Sequence, residues 1–257
     1  MLSNPPVNPV SLKKFFIGLL LVVVAACARQ GYPEGGPVDR EPPKVVDVTP
    51  ANGTLNFAAK SFAITFDEYC NIVDADNNIL VSPPIKPKPT YTMRGHSLRV
   101  ALPDTLQPNT TYLFQFKGAI ADLNEGNKLQ SFEYAFSTGS IIDSMTLSGT
   151  VLDAYTLLPR KDPATLVLYA ADATDSAIAK EQPLNITRSD DSGRFTFSHI
   201  KPGSYRLFAI EDADKNLLLG GNEAIAFLDS VVTPTAPSDS TAQQYRLLLS
   251  FEEQKGQ

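Results

Sequence analysis

Histidine and cysteine are nearly missing from this chain, with two of each in 257 residues. His96 and His199 fall in different halves of the sequence. Neither has a second histidine or a cysteine at ligand spacing, which excludes an ordinary zinc centre. Positive charge is also short: 22 Lys and Arg stand against 28 Asp and Glu, a net charge of −6 with no basic block beyond Lys13-Lys14. A nucleic-acid partner needs a basic face, so that class is set aside. No Gly-x-Ser-x-Gly elbow and no phosphate-cradling glycine loop occurs, and no converging acid–base motif stands in for them, so no catalytic role is expected. Long apolar runs are lacking too. The longest, Phe15 to Ala26, falls short of the about 20 residues a membrane-spanning helix needs.

That short run is informative in another way. Lys13-Lys14 precede it, it carries no charge, and it stops at Cys27. A positive start followed by an apolar stretch of this length marks a secretory signal. Val24-Ala25-Ala26-Cys27 resembles the bacterial lipobox, in which small residues fit the signal peptidase and the cysteine thiol takes the lipid. The resemblance implies a signal peptide over 1–26 and a lipidated Cys27. Two acyl chains hold a protein on a membrane stably, so the lipid anchor makes the membrane a partner. With Cys27 spent in this way, Cys70 has no disulfide mate. It reads as a small buried apolar residue. Residues 27–41 hold Gly31, Pro33, Gly35-Gly36 and Pro37 and read as a flexible tether.

From residue 42 the chain reads as short strands. Phe62, Ile64 and Phe66 alternate with Ala63 and Thr65, the period of a half-buried strand. Arg94-Gly95-His96-Ser97 turns between Thr90–Met93 and Leu98–Leu102, and the Tyr112/Phe114/Phe116 and Phe132/Tyr134/Phe136 series alternate in the same way. Leu106-Gln107-Pro108-Asn109-Thr110-Thr111-Tyr112 has the form of a tyrosine corner, in which the hydroxyl bonds back to the chain. Together with Pro42–Gly53, Ile64–Glu68, Asp122–Asn127 and Phe136–Gly139, this pattern resembles the bacterial Ig-like domain of the SbsA type, as found at the start of Bacteroidota lipoproteins. The resemblance covers residues 42–139.

Residues 140–252 form a second β pattern: Thr146–Val151, Leu166–Tyr169, Arg194–Phe197 and Tyr205–Ala209, with turns at Asp190-Asp191-Ser192-Gly193 and Lys201-Pro202-Gly203-Ser204. This half resembles the transthyretin-like domain of the carboxypeptidase regulatory type, a seven-stranded sandwich. Ile225–Leu228 and Tyr245–Leu249 supply its last strands, and 253–257 is a polar tail. The expected architecture is therefore all-β: two tandem antiparallel sandwiches behind a lipoprotein signal peptide.

One constellation has the spacing of a metal loop. Counted from Asp212, the residues Asp212, Asp214, Asn216 and Glu223 fall at positions 1, 3, 5 and 12 of a calcium loop. Position 6 is Leu217 where such a loop takes glycine, and Leu217-Leu218-Leu219 reads as core. A solvated acidic turn is the preferred reading and calcium the competing one. Asp122, Asn124, Glu125 and Asn127 form a second acidic loop, read as an Asx-turn cluster. Thr105, Ser144, Ser176, Ser230 and Ser240 each follow an aspartate in triplets that resemble the short O-glycosylation motif of Bacteroidota. The expected function is a non-catalytic, lipid-anchored envelope protein, acting as a spacer or as an adhesion and assembly module. The alternative is a module that binds a glycan or calcium, and an envelope protein or glycan is the expected partner besides the membrane. Ala28-Arg29-Gln30 lacks the acidic run that resembles a surface-export signal, so the periplasmic face of the outer membrane is favoured over the cell surface.

Overall fold

The computed structural model describes residues 38–239 and 242–251. The signal segment 1–26, Cys27, Ser240 and the tail 253–257 lie outside the described residues. Within them the regular secondary structure is nearly all strand, as the alternation requires. The first sandwich runs β1 (Val45–Thr49), β2 (Ser61–Phe66), β3 (Cys70–Ile72), a one-turn helix α1 (Ala75–Asn78), β4 (Ile79–Ser82), β5 (Thr90–Arg94), β6 (Ser97–Ala101), β7 (Thr111–Phe116), β8 (Ile120–Asp122), β9 (Lys128–Leu129) and β10 (Phe132–Ser137). A sheet in the order β1-β2-β6-β5 carries Phe62, Ile64, Phe66, Leu98 and Val100 into a core shared with the sheet β10-β7-β4. A short third sheet, β3-β8-β9, completes this half. Phe62 stacks on Tyr134 at 4.2 Å and meets the edge of Phe114 at 5.0 Å, joining the two faces through aromatic rings.

The tyrosine corner forms as the sequence predicts. Gln107 donates its N–H to the Tyr112 hydroxyl at 2.8 Å. This bond fixes the loop that leads into β7.

The second sandwich comprises β11 (Met145–Asp153), β12 (Thr165–Ala170), a one-turn helix α2 (Ala177–Lys180), β13 (Asn185–Arg188), β14 (Arg194–Ile200), β15 (Tyr205–Ile210), β16 (Ile225–Phe227) and β17 (Gln244–Leu249). Its seven strands make sheets of order β14-β11-β17 and β13-β12-β15-β16 around a core that includes Leu166, Leu168, Phe197, Leu207 and Leu247. Every strand pairing is antiparallel except β11 with β17, which run parallel. Gly149 sits where β11 is flanked on both sides, opposite Phe195 in β14 and Tyr245 in β17. A Cβ there would collide with the Tyr245 carbonyl oxygen and come within 2.7 Å of the Phe195 ring. Only glycine fits.

The two sandwiches do not sit apart on a loose linker. Arg40–Gln257 forms one compact unit that holds every described strand. The edge strand β4 lies beside the edge strand β13, and the Ser82 hydroxyl accepts the Ile186 N–H at 3.0 Å and the Asn185 amide at 3.2 Å. Two sheet edges that would otherwise expose unpaired backbone groups thus cover each other. Leu80 leaves the first core altogether. It packs with Val167, Tyr169, Ile186, Phe208 and Ile210 on the outer face of the second sandwich's larger sheet. The connecting segment is pinned as well: Thr111 Oγ1 donates to the Asp143 carboxylate at 2.8 Å, and Asp143 returns its own N–H to that hydroxyl at 2.9 Å. Burial of Leu113 and Gln115 in β7, on the face that alternation would leave wet, follows from this contact with the second sandwich.

Candidate functional site

The stretch from Asp212 to Glu223 follows β15 and returns to β16. It curls because two of its residues adopt left-handed backbone, Lys215 at φ +59° and Leu217 at φ +66°. Leu217 is the position where a calcium loop takes glycine, and it adopts the backbone a glycine would supply. Leu217 and Leu219 turn inward onto the outer face of the β13-β12-β15-β16 sheet, and Leu219 donates its N–H to the Ile178 carbonyl at 2.9 Å. The core reading of these leucines thus agrees with their packing, and residues 213–216 between them and Asp212 are exposed. The leucines fasten the loop to the sheet, and Asp212 and Glu223 are only partly exposed while Asp214 faces solvent.

Asp212, Asp214 and Glu223 each place a carboxylate oxygen within 4.8 Å of the others. Glu223 closes the loop by accepting the Ala213 N–H and the Gly220 N–H, both at 2.8 Å. Asp214 accepts from the Asn216 backbone at 3.1 Å and side-chain amide at 2.6 Å. Asn216 itself gives its carbonyl oxygen to the Leu218 N–H at 2.6 Å, so its amide is engaged within the loop. Asp212 accepts the Leu217 N–H on Oδ1 at 3.1 Å, while its buried Oδ2 has no partner among the described residues. Burial, with the charges of Glu223 and Asp214 adding to it, raises the Asp212 pKa above the ordinary carboxylate value, and the Leu217 hydrogen bond and Arg188 only partly offset them. Arg188 comes from β13. No sequence spacing could have revealed it, because only strand pairing brings it near the loop.

The second acidic loop resolves differently. Asp122 is 2% exposed, and its Oδ1 accepts the N–H groups of Asn124, Glu125 and Gly126 while Oδ2 accepts that of Asn127. Burial alone would raise its pKa, but these four bonds outweigh it and hold the carboxyl below its usual range. This is the expected Asx cluster, with every acceptor turned to its own backbone. Cys70 is buried beside it, and burial, with Glu68, Asp67 and Asp122 adding to it, pushes the thiol up to about 11. At neutral pH it is a thiol and a poor nucleophile. Of the histidines, His96 lies against the Tyr69 ring at 4.1 Å and His199 bonds the Asp143 carbonyl at 3.0 Å.

Thr105, Ser144, Ser176 and Ser230 are all exposed. Thr105 donates to the Lys86 carbonyl at 2.7 Å, and Ser176 shares a bond with Thr174 at 3.2 Å. The exposed aromatics are scattered: Tyr69 and Tyr155 on loops, Phe227 on the edge strand β16 and Phe251 after β17. Among the described residues no helix is long and apolar enough to cross a membrane.

Residues 39–138 match the family model described as a bacterial Ig-like domain. No curated protein matches the chain. Among solved structures, the N-terminal part of the bacterial S-layer protein SbsC is 16% identical, with 78% of this chain and 44% of that one covered and a TM-score of 0.26. The chain thus spans under half the length of that structure. The major pilin subunit BcpA of Bacillus cereus is 9% identical over 82% of this chain and 71% of that one, with a TM-score of 0.26. An L,D-transpeptidase from Mycobacterium smegmatis is 12% identical over 81% and 87%, with a TM-score of 0.27.

Proposed function

We propose that the chain is a non-catalytic module of the bacterial cell envelope, a short rigid spacer whose bacterial Ig-like domain and second sandwich hold a fixed mutual geometry for adhesion or assembly. The observation that carries this reading is the joint between the sandwiches: Ser82 bonded to two groups of β13, Leu80 buried against the outer face of the second sandwich's larger sheet, and Asp143 pinning the connector. A flexible tandem would need none of these. The seven strands of the second half, in sheets of three and four, agree with a transthyretin-like domain of the carboxypeptidase regulatory type. Cys27 is the lipid attachment point, in a Bacteroidota-type lipoprotein held on the periplasmic face of the outer membrane. Thr105, Ser144, Ser176, Ser230 and Ser240 are sites of O-glycosylation, for which the exposure of the first four leaves room.

Rigidity is tested by spin labels at Lys60→Cys and Arg246→Cys, both exposed positions, in a fragment that begins at Val38. Cys70 is buried and its thiol stays protonated, so labelling is confined to the new sites. A single narrow distance distribution is expected, and a broad one contradicts the spacer. Anchoring is tested by metabolic labelling with an alkyne fatty acid. Wild type takes the label and sediments with membranes, and Cys27→Ser does neither.

A second reading rests on the acidic loop: calcium held by Asp212, Asp214 and Glu223, with Asn216 beside them, stabilises the second sandwich. Three carboxylates within 4.8 Å and the unpartnered Asp212 Oδ2 favour it. Hard oxygen donors of this kind would suit calcium. A ligand at about 100 times its dissociation constant stabilises the folded state by about 2.7 kcal/mol. Millimolar calcium therefore raises the melting temperature, and excess chelator reverses the rise. No shift with calcium retires the metal.

A further inference from the structure

A cavity of about 280 Å³ opens at the joint between the two sandwiches, near the lower end of the about 300–1,000 Å³ typical of small-molecule sites. Its walls are mostly apolar, with Ile79, Ile85 and Tyr91 from the first sandwich and Ile186 and Leu217 from the second. Six charged side chains line it: Lys86, Lys88, Arg188 and Lys215 against Asp76 and Asp212. In a chain of net charge −6, this cavity has the opposite balance.

The partners already present decide what that charge is free to do. Asp76 pairs with Lys88 at 3.2 Å. Asp212 has Arg188 for its nearby cation. Asp74, just outside the lining, caps α1 by accepting from the Asn77 backbone and side-chain amides, and its charge also acts on Lys215 and Arg188, so the cations outnumber the nearby carboxylates by one. Lys86 and Lys215 make no ion pair among the described residues. Arg188 is half-buried, yet among the described residues its side chain donates a single hydrogen bond, Nη1 to the Asn77 carbonyl at 2.6 Å, with Asp212 and Asp74 as its nearby negative charges. A guanidinium carries five N–H donors, and removing it from water without partners is costly. Burial correspondingly lowers its pKa.

We infer that this cavity binds a small amphipathic anion, with an apolar body against the Ile79, Ile85 and Ile186 walls and a carboxylate or phosphate head met by Arg188, Lys86 and Lys215. Attraction across a partly desolvated pocket is stronger than in water, and apolar burial adds affinity that the charges alone do not give. The site goes beyond the spacer reading. It requires both sandwiches, so a bound anion also bridges them.

The test uses the fragment from Val38 onward, which keeps the whole compact unit Arg40–Gln257, with octanoate, octyl phosphate and 1-octanol as probes. Amide resonances are followed during titration. Octanoate or octyl phosphate is expected to shift the amides of Ile79 to Ser82, Ile85, Ile186 to Arg188 and Leu217, and 1-octanol, with the same tail and no charge, binds at least about tenfold more weakly, the equivalent of one charge-assisted contact. If only one of the two anions binds, it names the head group. Lys86→Ala/Lys215→Ala, at two exposed positions, weakens the anion by a similar factor, whereas Lys161→Ala, an exposed position outside the cavity lining, leaves it unchanged. Failure of both anions, equal binding of 1-octanol, or shifts confined to other residues overturns the proposal. None of these outcomes bears on the spin-label distance that tests the spacer.

Discussion

Leu217 shows how one residue can obey two demands that conflict in sequence. Its side chain must reach the sheet that Val167 and Phe208 line, and its backbone must turn left-handed so that the loop can close. Leucine serves the first, at the backbone cost that glycine would avoid. Asp212, five residues earlier, has a conflict of charge. Folding raises its pKa, so its contribution to stability is present below its unfolded pKa, about 3.9, and is lost as pH rises through the folded value. Asp212→Asn, which keeps an oxygen for the Leu217 N–H, should therefore raise the melting temperature of the calcium-free protein at neutral pH and not at about pH 3. With calcium the order should reverse if the metal binds, since the variant lacks a full charge. Asp122 has the opposite sign. Folding lowers its pKa, so its stability contribution is present above about pH 3.9 and is lost as pH falls from there through the folded value. Asp122→Asn removes an acceptor for the Asn127 N–H, and melting followed between pH 7 and pH 2 should show a lower starting stability with a weaker acid dependence.

At the scale of elements, the alternating aromatics made the first sandwich legible. Phe62, Ile64 and Phe66 point where period two sends them, and the Tyr112 hydroxyl bonds where its motif says. The turn at Asp190–Gly193 was equally readable, because the Asp190 carboxylate accepts the Ser192 and Arg194 N–H groups and Gly193 takes φ +74°. What the pattern could not give is which residues become buried by a neighbour. Leu80 looks like any strand residue, and its partners lie in another half of the chain. The acidic loop was legible as ligand spacing, whereas its packing and its Arg188 neighbour depend on contacts that local sequence does not encode. The parallel pairing of β17 with β11 is likewise a matter of topology. Gly149 follows from that pairing: Gly149→Ala should destabilise the second sandwich by about 1–3 kcal/mol, the usual cost of forcing atoms into a packed interior, as measured by denaturant unfolding.

For the whole molecule, the central claim is that two sandwiches with separate cores behave as one body. Each core is closed on its own, so the coupling resides in the β4–β13 edge contact, Leu80 and the Asp143 clamp. Leu80→Ala should cost about 2–5 kcal/mol, the range for emptying a buried leucine site, even though the residue lies outside its own sandwich's core. Leu80→Asp goes further, placing an unpaired charge against Val167 and Phe208. Scanning calorimetry of the fragment from Val38 onward is the most direct measurement of the claim. One transition is expected for wild type, with calorimetric and van't Hoff enthalpies equal, and two for Leu80→Asp as the halves unfold separately. Two transitions in the wild-type protein would contradict the account.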